Sequence, residues 1–474
     1  MVRTVTLNGK PYNLPEKKPE LLMPAGDLQK AKFAFAFGAD AVYAGVPVFA
    51  LRTRENKFNI EQVKEVVEYA HNLGKKIYLT INIYPHNEKI EPFLNAMDEM
   101  VDVKPDAFIV SDPGVLDLVK ERWPDVELHL SVQQNNINWA SARFWGKQGI
   151  SRIILARELS LKEVREIVKK NPEMEFEYFI HGSMCIAYSG RCLLSYYLSG
   201  RDANQGVCTQ PCRWQYKVFK SDKPDYDSAS SRPDPETYKH PEGNYVIEER
   251  LREGEFHPVE EDENGTYIMN SRDMCMIDYL EDLMDAGVCS FKVEGRNKSV
   301  YYAAITARAY REAIDAIYEG EKPDVKRLLT ELQSAGNRGF IPGFLAGDLG
   351  EKAQWYDKNG LLQTHVFAGI MTDYDNTENT VTIAARNRID VGDTIELITP
   401  TKTIPITINE MTDADGNSIS TVHPGAGTFT ISLPENRTLD SEFAVARMEG
   451  EQKRKSDQKI RAEKGESEHV MSRD

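Results

Sequence analysis

The sequence predicts an α/β fold: a (β/α)8 barrel of the TIM type carrying a cysteine-rich segment and an acidic insertion, followed by a small antiparallel β-barrel domain. Three observations carry that expectation. From Pro19 onward, short apolar or β-branched runs alternate with amphipathic helical stretches. Each run ends in a glycine or polar cluster, as strands do where a parallel sheet hands the chain to a loop. After Pro342-Gly343 the helical periodicity stops, and short strands separated by turns take over.

The elements follow in order. Leu21-Leu22-Met23 ends in Pro-Ala-Gly, and Asp27 is placed to cap a helix through Phe37. Gly38 stops that helix, and Ala41-Val42-Tyr43-Ala44 is the second strand. A helix from Ile60 to Leu73 stops at Gly74, and Lys76 to Ile83 is the third strand. Ala107 to Val110 ends at Ser111-Asp112-Pro113-Gly114, and Glu127 to Val132 ends at Gln133-Gln134-Asn135. Arg152 to Ala156 ends at Arg157-Glu158, and Phe176 to Ile180 ends at His181-Gly182. Ser290 to Val293 ends at Glu294-Gly295-Arg296, ahead of a helix through Ile317. That makes eight strands, the number that closes a barrel. An open doubly wound sheet is the alternative, weakened by the absence of G-x-G-x-x-G from the first turn.

Residues 1–345 are thus expected to form the barrel, with a cysteine-rich segment at 181–215 and an irregular acidic insertion at 221–265. Residues 346–450 form the β domain, with strands at Val366–Met371, Thr380–Ala384, Asp393–Ile398, Ile404–Ile408 and Thr428–Ser432. The charged tail 451–474 is too poor in apolar residues to fold alone.

A chain of 474 residues, 41% apolar and 28% charged, is of ordinary globular composition. No run approaches the roughly 18 apolar residues of a membrane span, and the N-terminus lacks the apolar core of a signal peptide. A cytoplasmic protein without membrane contact is expected. The net charge of −16 argues at first against nucleic acid. That charge is uneven, however: Ser221 to Gly265 holds 14 acidic and five basic residues, while His181 to Lys220 holds five basic and one acidic. A local basic surface for RNA remains open.

Cys185, Cys192, Cys208 and Cys212 give C-x6-C-x15-C-x3-C directly after a strand, among Gly182, Gly190, Gly200 and Gly206. Zinc ribbons use paired C-x2-C knuckles, and none occurs here. Uneven spacing suits a cluster whose irons occupy different corners of a cube, although spacing alone does not choose iron over zinc.

His181-Gly182-Ser183-Met184-Cys185 and Ser189-Gly190-Arg191-Cys192-Leu193-Leu194-Ser195 resemble the signature of the collagenase-like peptidases, peptidase family U32. Pro19 to Gly26, Gly38 to Gly45 and Phe291 to Arg296 match it too. Pro85-His86-Asn87, Leu130-Ser131-Val132-Gln133, Arg201 to Gly206 and Thr266 to Ser271 resemble the prephenate-dependent tRNA uridine hydroxylases within that family. The resemblance runs from about Pro19 into the β domain. It implies oxygen-independent hydroxylation at carbon 5 of the wobble uridine of tRNA, with prephenate as hydroxyl source, and a [4Fe–4S] cluster. By position, Cys185, Cys192, Cys208 and Cys212 match the cysteines of the tRNA enzymes. Ubiquinone-pathway relatives take a ligand near Cys275, so the fourth ligand stands between Cys212 and Cys275.

Barrel enzymes draw their reacting groups from the C-terminal ends of strands. That rule selects Asn82, His86, Asp112, Gln133, Asn135, Arg157, Glu158, His181, Lys292, Glu294 and Arg296. His181, Lys292 and Glu294 are the acid–base candidates, Lys292 and Glu294 sharing a strand face. Prephenate carries two carboxylates, and arginine binds a carboxylate through a two-bond fork, so Arg52, Arg157, Arg191 and Arg296 are candidates for that clamp. Tyr188, Tyr196, Tyr197, Trp214 and Tyr216 offer stacking faces for a splayed base, or equally packed core. Three rivals stay open: a peptidase, a hydroxylase of ribosomal RNA or of a ubiquinone precursor, and a non-catalytic RNA-binding protein using the β domain. Neither H-E-x-x-H nor G-x-S-x-G occurs to favour the first.

Overall fold

A computed structural model describes residues 3–45 except 8, 49–50, 58–213 except 186, 193, 200 and 206, 245–248, 256–262, 265–267, 271–347, 353 and 361–450 except 435–436. Arg52, Trp214, Tyr216, most of the acidic insertion and the tail 451–474 lie outside the described residues.

Eight parallel strands close a barrel: β1 (Glu20–Ala25), β2 (Ala41–Gly45), β3 (Lys76–Ile81), β4 (Ala107–Val110), β5 (Leu128–Leu130), β6 (Arg152–Ile154), β7 (Glu175–Ser183) and β8 (Ser290–Val293). Each pairs with the next, and β8 pairs both with β7 and back to β1. These are the eight runs read from the sequence. Their outward residues, such as Phe176, Tyr178 and Phe291, are fully buried under helices, which is why the runs read as continuously apolar. Truncating one to alanine would cost about 3–5 kcal/mol.

Six helices follow the first six strands: α1 (Leu28–Ala36), α2 (Ile60–Asn72), α3 (Ile90–Asp102), α4 (Pro113–Arg122), α5 (Trp139–Lys147) and α6 (Leu161–Lys170). Their starts are set by local chemistry. Asp27 and Asp112 accept from the N–H groups of Lys30 and Val115, while Asn59 and Ser160 form capping boxes with Gln62 and Glu163. After β7 the pattern changes: the cysteine segment, with a short helix at Leu194–Ser199, comes first, and the helix Leu280–Asp285 leads into β8. After β8 comes a helix at Val300–Glu319, whose Tyr302 and Tyr310 are buried against the end of β7.

Four features differ from expectation. An N-terminal hairpin pairs Arg3–Leu7 with Lys10–Leu14. Asp273–Cys275 adds antiparallel to the end of β7. Within the acidic insertion, Tyr245–Glu248, Phe256–Asp262 and Gly265–Tyr267 form a three-stranded antiparallel sheet, not irregular chain. Their β-branched and aromatic residues are too interspersed with acids to stand out. Finally, the β domain is an antiparallel half-barrel whose strand Val445–Glu449 was not foreseen, because it runs into the charged tail. It pairs with His365–Asp375 on one side and Thr394–Ile398 on the other. Among the described residues, no helix is long and apolar enough to cross a membrane.

The half-barrel packs on the barrel's outer helices. Phe443 meets Phe33 edge-on at 5.2 Å, and Phe367 stacks on Tyr301 at 5.5 Å. Arg308 and Arg447 share the carboxylate of Glu331, at 2.6 and 3.1 Å.

Candidate active site

A cavity of about 680 Å³ opens at the C-terminal ends of the strands. Tyr43, Thr80, Asn82, Ser131, Gln133, Arg157, Phe179, Lys292, Glu294 and Arg296 line the barrel side of it. Cys185, Cys192, Cys208 and Cys212 line its remaining wall, with Ser189, Thr209 and Pro211. The sequence-predicted cysteines, two of the four arginines, and Lys292 with Glu294 are thereby brought to one space.

The cysteine segment is fastened to the rim at several points. Glu158, at the end of β6, accepts from the Ser189 N–H at 2.5 Å and from its hydroxyl at 2.7 Å. That holds Ser189 at φ 42°, in the left-handed region, between the first two cysteines. Arg191 donates to the Gln133 carbonyl at 2.9 Å and to the Tyr84 hydroxyl at 2.8 Å. Lys89 donates to Gln205 at 2.9 Å, and Gln205 in turn donates to the Tyr84 carbonyl. Thr209 is held to Ser195, which is fully buried, through its N–H at 3.0 Å. Two thiols receive backbone N–H groups: Leu194 N–H points at Cys192 Sγ at 3.4 Å, and Gln210 N–H at Cys208 Sγ at 3.3 Å. Among the described residues, no three His, Cys, Asp or Glu side chains converge tightly enough to hold a metal ion as they stand. The fit to a cluster therefore rests on the donor set, four thiols sharing one wall.

The charged residues of the cavity are not isolated. Arg157 Nη2 donates to Glu294 at 2.8 Å, with its guanidinium 3.9 Å from the Phe179 ring centre. Arg157 Nε is buried with no protein partner. Lys292 lies 2.7 Å from Glu177 and 4.3 Å from the centre of the Tyr43 ring. Lys292 and Glu294 do share a face, yet each pairs with a different residue. Arg296, 5% exposed, donates to the Thr80 hydroxyl at 3.2 Å across the cavity. Two glycines let these backbones approach. A Cβ on Gly26 would collide with the Arg296 carbonyl, and one on Gly182, at φ +114°, would sit 2.6 Å from the Glu294 carbonyl oxygen.

Below the cavity lies a network that strand-end reasoning passed over. Arg152 pairs with Glu20 at 2.8 Å and lies 3.6 Å from Glu177. The Tyr78 hydroxyl donates to Glu20 at 2.6 Å, and Ser290 donates to Glu20 at 3.0 Å. Burial raises the Glu177 pKa, but Lys292 and Arg152 outweigh it and hold the carboxyl below its ordinary value. Burial likewise pulls Lys292 down, opposed by Glu177. The readable signal was Glu177 itself, a charge inside Phe176-Glu177-Tyr178-Phe179.

Several candidates fall elsewhere. His181 is 2% exposed but does not line the cavity. The register of β7 against β8 shifts between Lys292 and Val293, so Val293 faces His181 rather than Ile180. This bulge resets the alternation and sends His181 to the outer side with Val293. There it contacts Tyr302, Tyr310 and Phe340, and burial pulls its pKa down to about 3. Arg191 is exposed outside the cavity, its fork spent on Gln133 and Tyr84. His86 is exposed at the rim, Asp112 caps α4, and Asn135 closes a short turn at φ 51°. Tyr188 and Tyr196 are 47% and 56% exposed. Cys275 is buried in the wall, where it shares a hydrogen bond with the Tyr310 hydroxyl at 3.4 Å.

Comparison with known proteins gives the lineage. The family description Peptidase family U32 matches residues 26–355, and the Peptidase family U32 C-terminal domain matches 363–441. The chain is 43% identical to tRNA hydroxylation protein P of Escherichia coli (strain K12), covering 90% of this chain and 96% of that protein. It is 36% identical to tRNA hydroxylation protein P1 of Bacillus subtilis (strain 168), covering 88% and 92%. It is also 35% identical to the 23S rRNA 5-hydroxycytidine C2501 synthase of Escherichia coli (strain K12), covering 65% of this chain but 41% of that protein. With both parts of the chain matched in order, and with relatives that align along nearly its whole length, the chain belongs to peptidase family U32.

Proposed function

We propose that this chain is a tRNA hydroxylase that adds a hydroxyl group to carbon 5 of a wobble uridine, using prephenate and a [4Fe–4S] cluster, in the cytoplasm. The observation that carries the reading is the shared cavity: four thiols on one wall, and Arg157, Lys292, Glu294 and Arg296 on the other. The names of relatives aligned along both domains support RNA hydroxylation, and tRNA over ribosomal RNA.

Cys185, Cys192, Cys208 and Cys212 would hold the cluster, and the wall position of Cys275 favours Cys212 as the fourth ligand. When bound, the cluster supplies redox capacity beside the substrates. The chain's own groups do the rest. Arg157 and Arg296 bind the carboxylates of prephenate, with Glu294 and Thr80 fixing the two guanidiniums. Lys292 and Glu294 hold or move the proton at the base carbon. The cysteine segment forms one wall of the cavity. A base reaches this space only when splayed from its stack. Residues 361–450 carry 13 acidic and five basic residues, so the β domain repels phosphate and leaves RNA to the barrel mouth. For a cysteine peptidase, a thiol needs a histidine beside it, and no histidine is among the described residues lining the cavity.

The test is mass spectrometry of tRNA nucleosides from a strain lacking the chain. Loss of the 5-hydroxyuridine nucleosides, restored by wild type but not by Cys192→Ser, is expected. An unchanged profile in the deletion strain would overturn the reading.

A further inference from the structure

The cavity wall divides by chemistry as well as by strand. On β8 and after β6 and β8 come the ionic groups Lys292, Arg157, Glu294 and Arg296; after β3 and β5 come the neutral Asn82, Ser131 and Gln133. Gln133 is the most firmly placed of the neutral set. Its carbonyl accepts from the Tyr84 hydroxyl at 2.8 Å and from Arg191 Nε at 2.9 Å. Its N–H reaches the Ser131 hydroxyl at 3.4 Å, which also accepts from Asn82 Nδ2 at 3.3 Å. With its backbone fixed on both sides, the side chain lines the cavity, and its Oε1 is buried without a hydrogen-bond partner in the protein. The neighbouring Gln134 differs, since its amide donates to the Ser111 carbonyl. A buried amide oxygen with no donor is costly unless a ligand supplies one.

We infer that Gln133 reads the target base, its Oε1 accepting the N3–H of a uracil while its Nε2 donates to an adjacent ring carbonyl. The assignment rests on the reading that a tRNA uridine enters this cavity. The chemistry separates the two substrates. An ionised carboxylate has no proton to give Oε1, whereas the uracil edge presents one N–H between two carbonyls, matching a carboxamide's acceptor and donor. The anion belongs to the cationic half, and the base to the neutral half. The lip next to Gln133 carries the exposed Arg191, its guanidinium 5.1 Å from the Tyr84 ring centre.

The experiment measures binding of two anticodon stem-loop RNAs, one with uridine and one with N3-methyluridine at the target position. Cluster-loaded wild type should prefer uridine by about tenfold, the effect of losing one neutral hydrogen bond in a buried site. Gln133→Ala should bind both RNAs alike, while keeping the iron content and unfolding midpoint of wild type. Gln133→Glu keeps an acceptor at the same reach and should still discriminate. Unchanged discrimination in Gln133→Ala, or none in wild type, overturns the inference. Prephenate-dependent hydroxylation by wild type in the same preparations tells that failure from failure of the hydroxylase reading. A wild type that hydroxylates but does not discriminate sinks only the role of Gln133. A wild type that neither binds nor hydroxylates sinks both.

Discussion

The cavity and the wall around it use the same residue types to different ends. Cys185, Cys192, Cys208 and Cys212 line the cavity, and backbone N–H groups point at two of their sulfurs. Cys275 is buried and Cys289 half-buried in the wall, where desolvation pushes their thiols up to about 11 and about 12. The cations divide likewise. Arg157 and Arg296 border open space, whereas Arg152 is enclosed by Glu20, Glu175 and Glu177. The lesson is that residue type and position near a strand end do not make a site. What separates a ligand from a strut here is whether the group borders the cavity or is enclosed by the wall.

The largest expected effect tests the cysteines. Cys212→Ser should abolish hydroxylated uridine in a complemented deletion strain, and Cys275→Ser should leave it near wild type; the opposite result would move the fourth ligand into the wall. Next comes the wall network. Glu177→Gln removes the carboxylate that Lys292 pairs with in the interior, at 2.7 Å, and should cost about 3–5 kcal/mol in denaturant unfolding. A cost near zero would mean that the pair is not the support its burial indicates.

Cavity arginines should show a smaller effect. Arg157→Lys or Arg296→Lys keeps the charge but loses the fork, weakening prephenate binding by roughly 10- to 150-fold, or about 1.5–3 kcal/mol. Arg191→Lys should change it little, because Arg191 lies outside the cavity. Calorimetry on the three variants ranks them, and an equal loss in all three would erase the distinction. The smallest effect concerns His181. Burial pulls its folded pKa down to about 3, below the ordinary value of 6.5, so the unfolded chain takes up the proton first. Its contribution to stability is intact above about pH 6.5 and is lost as pH falls toward 3. Relative to His181→Phe, wild type should lose under about 1 kcal/mol near pH 6 and more below, in unfolding measured across that range.

The barrel was legible because its strands alternate with helices and each bears a consistent apolar run. All eight strands stand where the pattern put them, and Asp27 caps as expected. The cavity's cysteines were legible through their spacing and the family resemblance, and Arg157, Arg296, Lys292 and Glu294 through the strand-end rule. Three things were not. A bulge in β7 cannot be seen in a pattern of period two, so His181 was expected inside and faces outward. The partners of charged residues come from distant strands, so Lys292 with Glu177 and Arg157 with Glu294 could not be matched in advance. Short strands beside acidic chain, at Tyr245–Glu248 and Val445–Glu449, were hidden by their surroundings.

The central claim, that four loop thiols form one ligand set while the wall thiols do not, is tested most directly by iron analysis of anaerobically purified protein. Wild type and Cys275→Ser should be brown and hold about four irons per chain, and Cys185→Ser, Cys192→Ser, Cys208→Ser and Cys212→Ser should each be colourless. A colourless wild type with one tightly bound zinc, or a Cys275→Ser variant that alone loses its iron, would contradict the account.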